Sequence, residues 1–341
     1  NRLDEIRAMA LNIYMEQSAV RDGVTAEEVK GILLGMASGQ ETLLGYFRRF
    51  IRNFEKRVGI NRTVGSLRAY SNAYSHIERF LQAQYKLSDI PFSALDRSFI
   101  DKYDLYLRTE RNLAPGTIIN LTVQLKTIVG EAIADGIITA SPFMGYEPVR
   151  PKHVQKYLTA EELHRIMTTP LHRQPLYHVR DMFLFSCFTG IPYGDMRLLT
   201  KDNLCLAEDG IWWIKSARQK TKIEFEIPLL DLPLQILKKY SGTAPGDKLL
   251  PMYCNSTLNL YLKEIARICH IDRPLVFHAG RHTYATEITL SHGVPLETVS
   301  RMLGHSQIET TQIYAKVTDE KIDADTKALN RKISERFSVV I

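Results

Sequence analysis

The last third of the chain holds four residues that a single reacting group could unite. His278 and Arg281 form a His-x-x-Arg pair, His305 closes a Leu-Gly-His, and Tyr314 follows nine residues later. Their chemistries are complementary. A phosphodiester is an anion that repels nucleophiles, so cleaving it requires charge to be neutralised on its non-bridging oxygens as the transition state forms. Arginine is always protonated and presents a planar fork of donors, and it can take the part that Mg²⁺ plays in many nucleases. A tyrosine can act as the nucleophile and hold a covalent intermediate. A histidine can donate a hydrogen bond or move a proton near neutral pH. No Asp/Glu cluster with metal-ligand spacing accompanies the set, and no cofactor or metal is expected.

The context of these residues is "FHAGRHTYATEITLSHGVPLETVSRMLGHSQIETTQIYAKV", from Phe277 to Val317. In spacing and local context together it resembles the tyrosine recombinase (phage integrase) family, and the likeness extends over roughly residues 41–335. The resemblance implies that Tyr314 attacks DNA to form a 3′-phosphotyrosine while the 5′ hydroxyl leaves. It implies that Arg281 clamps the phosphate, with His278 and His305 bonding the same oxygens or assisting proton transfer. Lys220, in "RQKTKIEFEIPL", resembles the hairpin lysine that protonates the leaving oxygen, with Lys222 as the neighbouring alternative. Ser306 and Glu309 are spaced as a capping box, which predicts Tyr314 on or just after a short helix. Read without the family, Tyr314 is one of 16 tyrosines that could pack an amphipathic helix, and the two histidines could cap helices.

One family position departs. The first family arginine follows a Thr-Gly by two residues, but "FTGIPYGDMRLL" has Pro192 there, and proline has no donor to offer. Thr189, Gly190 and Asp195 keep the surrounding pattern. Another cation must fill the gap or the enzyme is impaired. Arg180, on the preceding helix, is the first candidate, and Arg197 and Arg218 are rivals. The departure resembles integrases of mobile and conjugative elements of the Bacteroides type.

The fold that must position these residues reads as mainly α with a small antiparallel β-sheet: a helical core-binding domain plus a catalytic domain. Residues 1–39 are expected to form a helical coupler from an upstream arm-binding domain, with Thr25 and Glu28 as a capping box ahead of Val29. Residues 40–145 are expected to form a four-helix DNA-binding domain with helices near 41–58, 64–85, 97–111 and 115–135. In the first, Leu43, Leu44, Phe47, Phe50, Ile51, Phe54 and Val58 follow helical spacing. Arg48, Arg49, Arg52, Lys56 and Arg57 take its other face and are the candidate DNA contacts, positioning on phosphates without specifying sequence. A solvated helix face is the alternative.

Three prolines and several basic residues in "SPFMGYEPVRPKHVQKY" mark an interdomain linker at 146–157. The catalytic domain is expected over 158–341. It opens with a capping box of Thr159 and Glu162 and continues with helices near 177–188 and 192–199. Alternation over 211–215 and 223–227 predicts two strands around the turn "SARQKTK", with Ile223, Phe225 and Ile227 on one face. After Tyr314, Ile322, Leu329, Ile333 and Phe337 fall at helical spacing, fit for a neighbouring protomer or for the chain's own domain.

Composition is permissive. A length of 341 residues suggests two domains. A net charge of +6 with a pI of about 9.0 suits a nucleic-acid binder without demanding one. Cys187, Cys205, Cys254 and Cys269 are widely spaced and read as reduced core thiols of a cytoplasmic protein. The longest apolar stretch is about half of the roughly 20 residues that a membrane span needs.

The resemblance implies double-stranded DNA at specific attachment sites as the partner. It also implies a C-shaped clamp, a homotetramer exchanging strands through a Holliday junction, and accessory DNA-bending proteins. Two other readings stand beside it. A catalytically impaired DNA-binding protein is one, because residues 294–314 also scan as a helix-turn-helix. A type IB topoisomerase, which shares the chemistry without sequence choice, is the other.

Overall fold

The computed structural model describes residues 2–18, 24, 26, 29, 41–150, 156–314 and 319–333. The chain divides into two units, Asn1–His153 and Val154–Ile341. The expected Thr25–Glu28 capping box lies outside the described residues. Within the stretch expected to be a coupler, helix α1 spans Arg2–Ser18.

The first unit is built on amphipathic helices. Helix α2, Leu43–Glu55, buries Leu43, Leu44, Tyr46, Phe47 and Phe54. It starts with no help from the Thr42 side chain. Instead the Asp89 carboxylate accepts the N–H groups of Leu44 (2.8 Å) and Gly45 (3.0 Å), supplying the acceptors that a helix N-terminus lacks. Helix α3, Val64–Phe80, is capped by Thr63, whose hydroxyl accepts from the Ser66 amide. It continues through a π-helical turn, Leu81–Tyr85, and stops at Lys86 in the left-handed region. Helix α4, Arg97–Thr109, is capped by Asp96. Helix α5, Pro115–Ala134, carries proline in its first turn, where no amide hydrogen is needed. Phe80 gathers the core, meeting Phe99 at 5.3 Å and Tyr103 at 5.1 Å between ring centroids.

In the second unit, helix α6 (Ala160–Thr168) has the expected capping box, with Thr159 and Glu162 exchanging side-chain and backbone bonds. Helix α7, Gln174–Thr189, is buried on nearly every side and forms the centre of the unit, with Leu176, Val179, Met182, Phe183 and Phe185 in its core. Helix α8 is one turn, Tyr193–Met196. It is shorter than expected, and Pro192 stands at its N-cap.

Strands β1 (Leu204–Leu206), β2 (Trp212–Ala217) and β3 (Glu224–Pro228) form an antiparallel sheet in that order. Pairs such as Ile214 with Ile227 set the register. As the alternation requires, Phe225 and Ile227 are buried while Glu224 and Glu226 are exposed. Strand β1 was not anticipated, because three residues are too few to show a period.

Helices α9 (Asp231–Lys239) and α10 (Asn255–Ile268) follow. The short helix α11 (Ala279–Thr283) then runs into a π-helical turn, Tyr284–Thr289. Helices α12 (Leu296–Leu303) and α13 (Glu309–Gln312) bracket the Leu-Gly-His. The expected capping box of Ser306 and Glu309 does not form. Ile308 is the N-cap of α13 and no side chain caps it, because the N-cap falls two residues beyond Ser306 and leaves that hydroxyl out of the capping position.

Helix α14, Asp319–Ile333, leaves Ile322, Leu329 and Ile333 exposed, and Phe337 lies outside the described residues. All four cysteines are free. Cys187 and Cys269 are buried, but Cys254 is exposed at the start of α10 rather than in a core, because its position precedes the helix face that packs. No helix among the described residues is long and apolar enough to cross a membrane.

Replacing Thr159 with alanine removes one half of the box that starts α6. It should lower the stability of the second unit by about 1 kcal/mol, read as a lower urea midpoint in equilibrium unfolding.

Candidate active site

Arg281 is 3% exposed and is the hub of the site. Three features of the chain bring it there. Gly280 lets α11 lie against α7, since a Cβ at this position would meet the Ser186 hydroxyl at 2.9 Å. Gly190 ends α7 with φ +69°, and a Cβ there would strike the Tyr284 ring at 2.5 Å and Leu303 at 2.8 Å. Gly304 ends α12 in the left-handed conformation, with Arg218 Cγ 2.9 Å from where a Cβ would be. Close approach excludes a side chain at all three, and at Gly190 and Gly304 the left-handed backbone does so as well.

Three hydrogen bonds tie the Arg281 fork to protein acceptors. Nη1 donates to the Gly190 carbonyl at 2.9 Å, and Nη2 donates to the Leu303 carbonyl at 2.7 Å and to His305 Nε2 at 2.8 Å. His305 must therefore present its lone pair at Nε2. Its Nδ1 then carries the hydrogen and donates to Thr311 Oγ1 at 2.7 Å. Thr311 also accepts the Tyr314 amide at its carbonyl, 3.0 Å away, so one residue of α13 fixes both histidine tautomer and tyrosine backbone.

Tyr314 is 7% exposed and packs with Tyr284, Val299 and Leu303. Its ring lies parallel to His305 at 6.3 Å and edge-on to His282 at 5.1 Å. His282 in turn meets His278 at 4.9 Å. The structure thus brings together His278, Arg281, His305 and Tyr314, and adds His282. That residue directly follows Arg281 in sequence, a proximity that could have drawn attention to it.

The expectation for Arg180 is corrected. Its Nη1 donates to the carbonyls of Met167 and Thr169 at 3.3 and 3.4 Å, and its guanidinium lies 4.8 Å over the Tyr177 ring. It ties α7 to the end of α6 because its stem leaves α7 on that side. Arg197 is exposed over Tyr193.

The second cation at the site is Arg218. Its Nη1 donates to the same Leu303 carbonyl that Arg281 uses, at 3.0 Å. Its Nε stands 2.7 Å from Asp195 Oδ2 as a close ion pair without hydrogen-bond alignment. Asp195 Oδ1 accepts the Gln219 amide at 2.9 Å, which anchors the β2–β3 turn to α8. Lys220 and Lys222 are exposed on that turn, and Lys222 has φ +62°. A cavity of roughly 260 Å³ beside His278 is lined by Pro192, Tyr193, Gly194, Asn255, Asn259 and Val276.

Burial, then the charge of Arg218, pulls the Arg281 pKa down to about 10, which leaves it charged at neutral pH. Burial pushes the Tyr314 hydroxyl up, against the charge and hydrogen bond of Arg281 and the charge of Arg218. Burial is also the first cause that holds His305 at about 4, followed by Arg281 and Arg218. His282 is held at about 4 by burial and by the charges of His278, Lys156 and Arg281. His278 keeps an exposed edge. Partial desolvation, ahead of Arg281, Arg218 and Lys156, still keeps it below the usual imidazole range. The site is one buried and one half-buried guanidinium among neutral imidazoles, an arrangement suited to an anion.

On the first unit, two of the expected DNA contacts are engaged within the protein. Arg48 Nη2 donates to the Tyr74 hydroxyl at 2.5 Å, and Arg49 Nη1 bonds both Glu41 oxygens at 2.7 Å. Arg52, Lys56 and Arg57 are exposed, with no side-chain partner among the described residues.

The chain matches the Phage integrase family model over residues 156–321 and the Phage integrase SAM-like domain over residues 42–148. It belongs to the phage integrase family of tyrosine recombinases. Tyrosine recombinase XerD of Listeria monocytogenes serovar 1/2a is 26% identical over 273 residues, covering 75% of this chain and 89% of the relative. Among solved structures, the Tn1549 transposon integrase in complex with transposon right end DNA superposes with a TM-score of 0.66 at 18% identity. That match covers 85% of this chain and 99% of the neighbour. A lambda integrase tetramer bound to a Holliday junction gives 0.67 at 16% identity, covering 91% and 87%. The family to which the chain belongs consists of enzymes that break and rejoin DNA.

The pH dependence of stability follows from the two most depressed histidines. In the unfolded chain they bind protons near pH 6.5, and in the folded chain only near pH 4. Their contribution is therefore fully present above pH 6.5 and is lost as pH falls towards 4. Urea midpoints should drop between pH 7 and pH 5, and His305→Gln should flatten that dependence.

Proposed function

We propose that this chain is a site-specific DNA recombinase in which Tyr314 is the nucleophile and Arg281 and Arg218 are the phosphate-binding cations. The observation that carries the reading is the convergence of Arg281, Arg218 and His305 around the Leu303 carbonyl, beside the Tyr314 ring. Arg218 reaches this point from the β2–β3 turn and supplies the donor fork that Pro192 cannot.

In the reaction, Tyr314 Oη attacks the scissile phosphorus and gives up its proton. The P–O5′ bond breaks, and the 5′ oxygen takes a proton to leave as a hydroxyl. Lys220, on the turn that Asp195 anchors, is the donor for that proton. His305 Nε2, whose lone pair accepts from Arg281 in the free protein, becomes free to accept the Tyr314 proton when the phosphate takes that donor, and His278 hydrogen-bonds a non-bridging oxygen.

The phosphotyrosine conserves the bond energy, so attack by a 5′ hydroxyl of another strand reseals DNA without ATP. An arriving phosphate competes with the Gly190, Leu303 and His305 acceptors for the Arg281 fork. Its negative charge offsets the guanidinium charges that add to burial in keeping His278 and His305 neutral. Arg52, Lys56 and Arg57 are the helix-face cations free to meet the DNA backbone.

The partner is double-stranded DNA at specific sites, with a tetramer as the working assembly on two of them. The Pro192 departure favours a mobile-element integrase acting in the cytoplasm, with DNA-bending accessory proteins. Both the Tn1549 integrase and the lambda integrase tetramer that superpose on the chain are DNA complexes.

The test is covalent trapping on nicked suicide duplexes carrying the ends of the element beside the gene. Wild type should give an adduct on a denaturing gel and Tyr314→Phe none. Retained adduct in the phenylalanine variant, or binding without any adduct in wild type, removes the reading. In the same assay Arg218→Ala should slow cleavage by about 10²-fold or more, while Arg180→Ala should stay close to wild type.

A further inference from the structure

The loop between α2 and α3 holds an aliphatic side chain out in water within a basic frame. Ile60 is 82% exposed, and Val64, at the start of α3, is 51% exposed. The loop is closed on itself. The Arg57 carbonyl accepts the amides of Ile60 (3.2 Å), Asn61 (3.2 Å) and Arg62 (3.1 Å), and the Gly59 amide donates to the Arg62 carbonyl at 3.0 Å. Gly59 has φ +87° with open space around it, the left-handed residue that the reversal needs. Ile60 is therefore presented from a hydrogen-bonded turn.

Along the loop the charges are of one sign, and the nearest acids are Glu55, before Lys56, and Glu131 and Asp135 in the cavity that Arg57 and Arg62 also line. Lys56, Arg57, Arg62 and Arg68 are exposed, and no Asp or Glu occurs from Lys56 to Ile77. Arg62 is held beside the loop by stacking over the Phe54 ring at 5.2 Å. An apolar tip between cations matches the grooves of duplex DNA, where phosphates flank base edges and steps that accept aliphatic contact. An acidic protein surface would satisfy the cations but would leave the aliphatic tip against charge.

We propose that Ile60 enters a groove of the DNA duplex that this chain binds and packs against its bases, with Arg57 and Arg62 on the flanking phosphates. The proposal rests on the DNA-recombinase reading and adds a contact outside the catalytic unit. It also gives the first unit a way to sense the bases, since Arg48 and Arg49 are engaged by Tyr74 and Glu41.

The probe is a duplex enriched from a random-sequence pool by the wild-type full chain, with Kd measured against salt concentration. Ile60→Ala should weaken binding about tenfold while the slope of log Kd against log salt stays that of wild type. Ile60→Leu should restore affinity to within about twofold of wild type. Arg57→Ala and Arg62→Ala should each lower the slope by about 1. The thermal midpoint of Ile60→Ala should match wild type, because the side chain is exposed.

Unchanged affinity in Ile60→Ala overturns the proposal. So does a loss accompanied by a slope that falls as in the arginine variants, and so does an unchanged slope in both arginine variants. A wild-type chain that enriches no duplex removes the DNA-binding reading itself, and the proposal with it.

Discussion

Two arginines donate to one carbonyl oxygen, and the catalytic unit is arranged around that contact. Leu303 is the last residue of α12, where helix carbonyls lack intrahelical partners and carry the negative end of the dipole. Arg281 from α11 and Arg218 from the β2–β3 hairpin both meet it. Like charges so close in a buried place repel, and the arrangement persists because every nearby acceptor is enlisted: Gly190, Leu303, His305 and the Asp195 carboxylate. The glycines at 190, 280 and 304 are the steric condition for this, since a side chain at any of them would push apart the elements that carry the donors.

Burial first, and these cations after it, hold the surrounding imidazoles below their usual range. With Asp195 as the carboxylate paired to them, the pair leaves a local excess of positive charge. Neighbouring imidazoles are cheaper to bury neutral than charged. His305 then accepts from Arg281 rather than competing with it, and Thr311 locks the tautomer that allows this. The protein thus holds a cation fork, a lone pair and a phenol in one cluster, with the Asp195 carboxylate paired to Arg218. The positive excess is the electrostatic counterpart of a phosphate.

Asp195 links this balance to the hairpin. One carboxylate oxygen faces Arg218 and the other holds the Gln219 amide at the start of the turn that carries Lys220. A single acidic residue on a one-turn helix thereby couples Arg218 to the turn.

The residue sequence by itself determined the local patterns. His278, Arg281, His305 and Tyr314 were legible because their spacing within short helices is local, and the faces of α2, β2 and β3 were legible because periods of 3.6 and 2 are written in consecutive residues. The Thr159–Glu162 box was legible for the same reason. The tertiary structure alone decided what depends on separate segments meeting. Arg218 rather than Arg180 joins Arg281, because the β2–β3 hairpin folds over the end of α12 while the stem of Arg180 leaves α7 towards α6. His282 stands against Tyr314, and Arg48 and Arg49 are drawn to Tyr74 and Glu41, contacts that no spacing rule announces. Ser306 and Glu309 had the right spacing for a cap yet form none, because the N-cap falls at Ile308 rather than at Ser306. Periodicity reports which face of an element is apolar, whereas the pairing of charges is fixed only when distant elements pack and choose among the acceptors within reach.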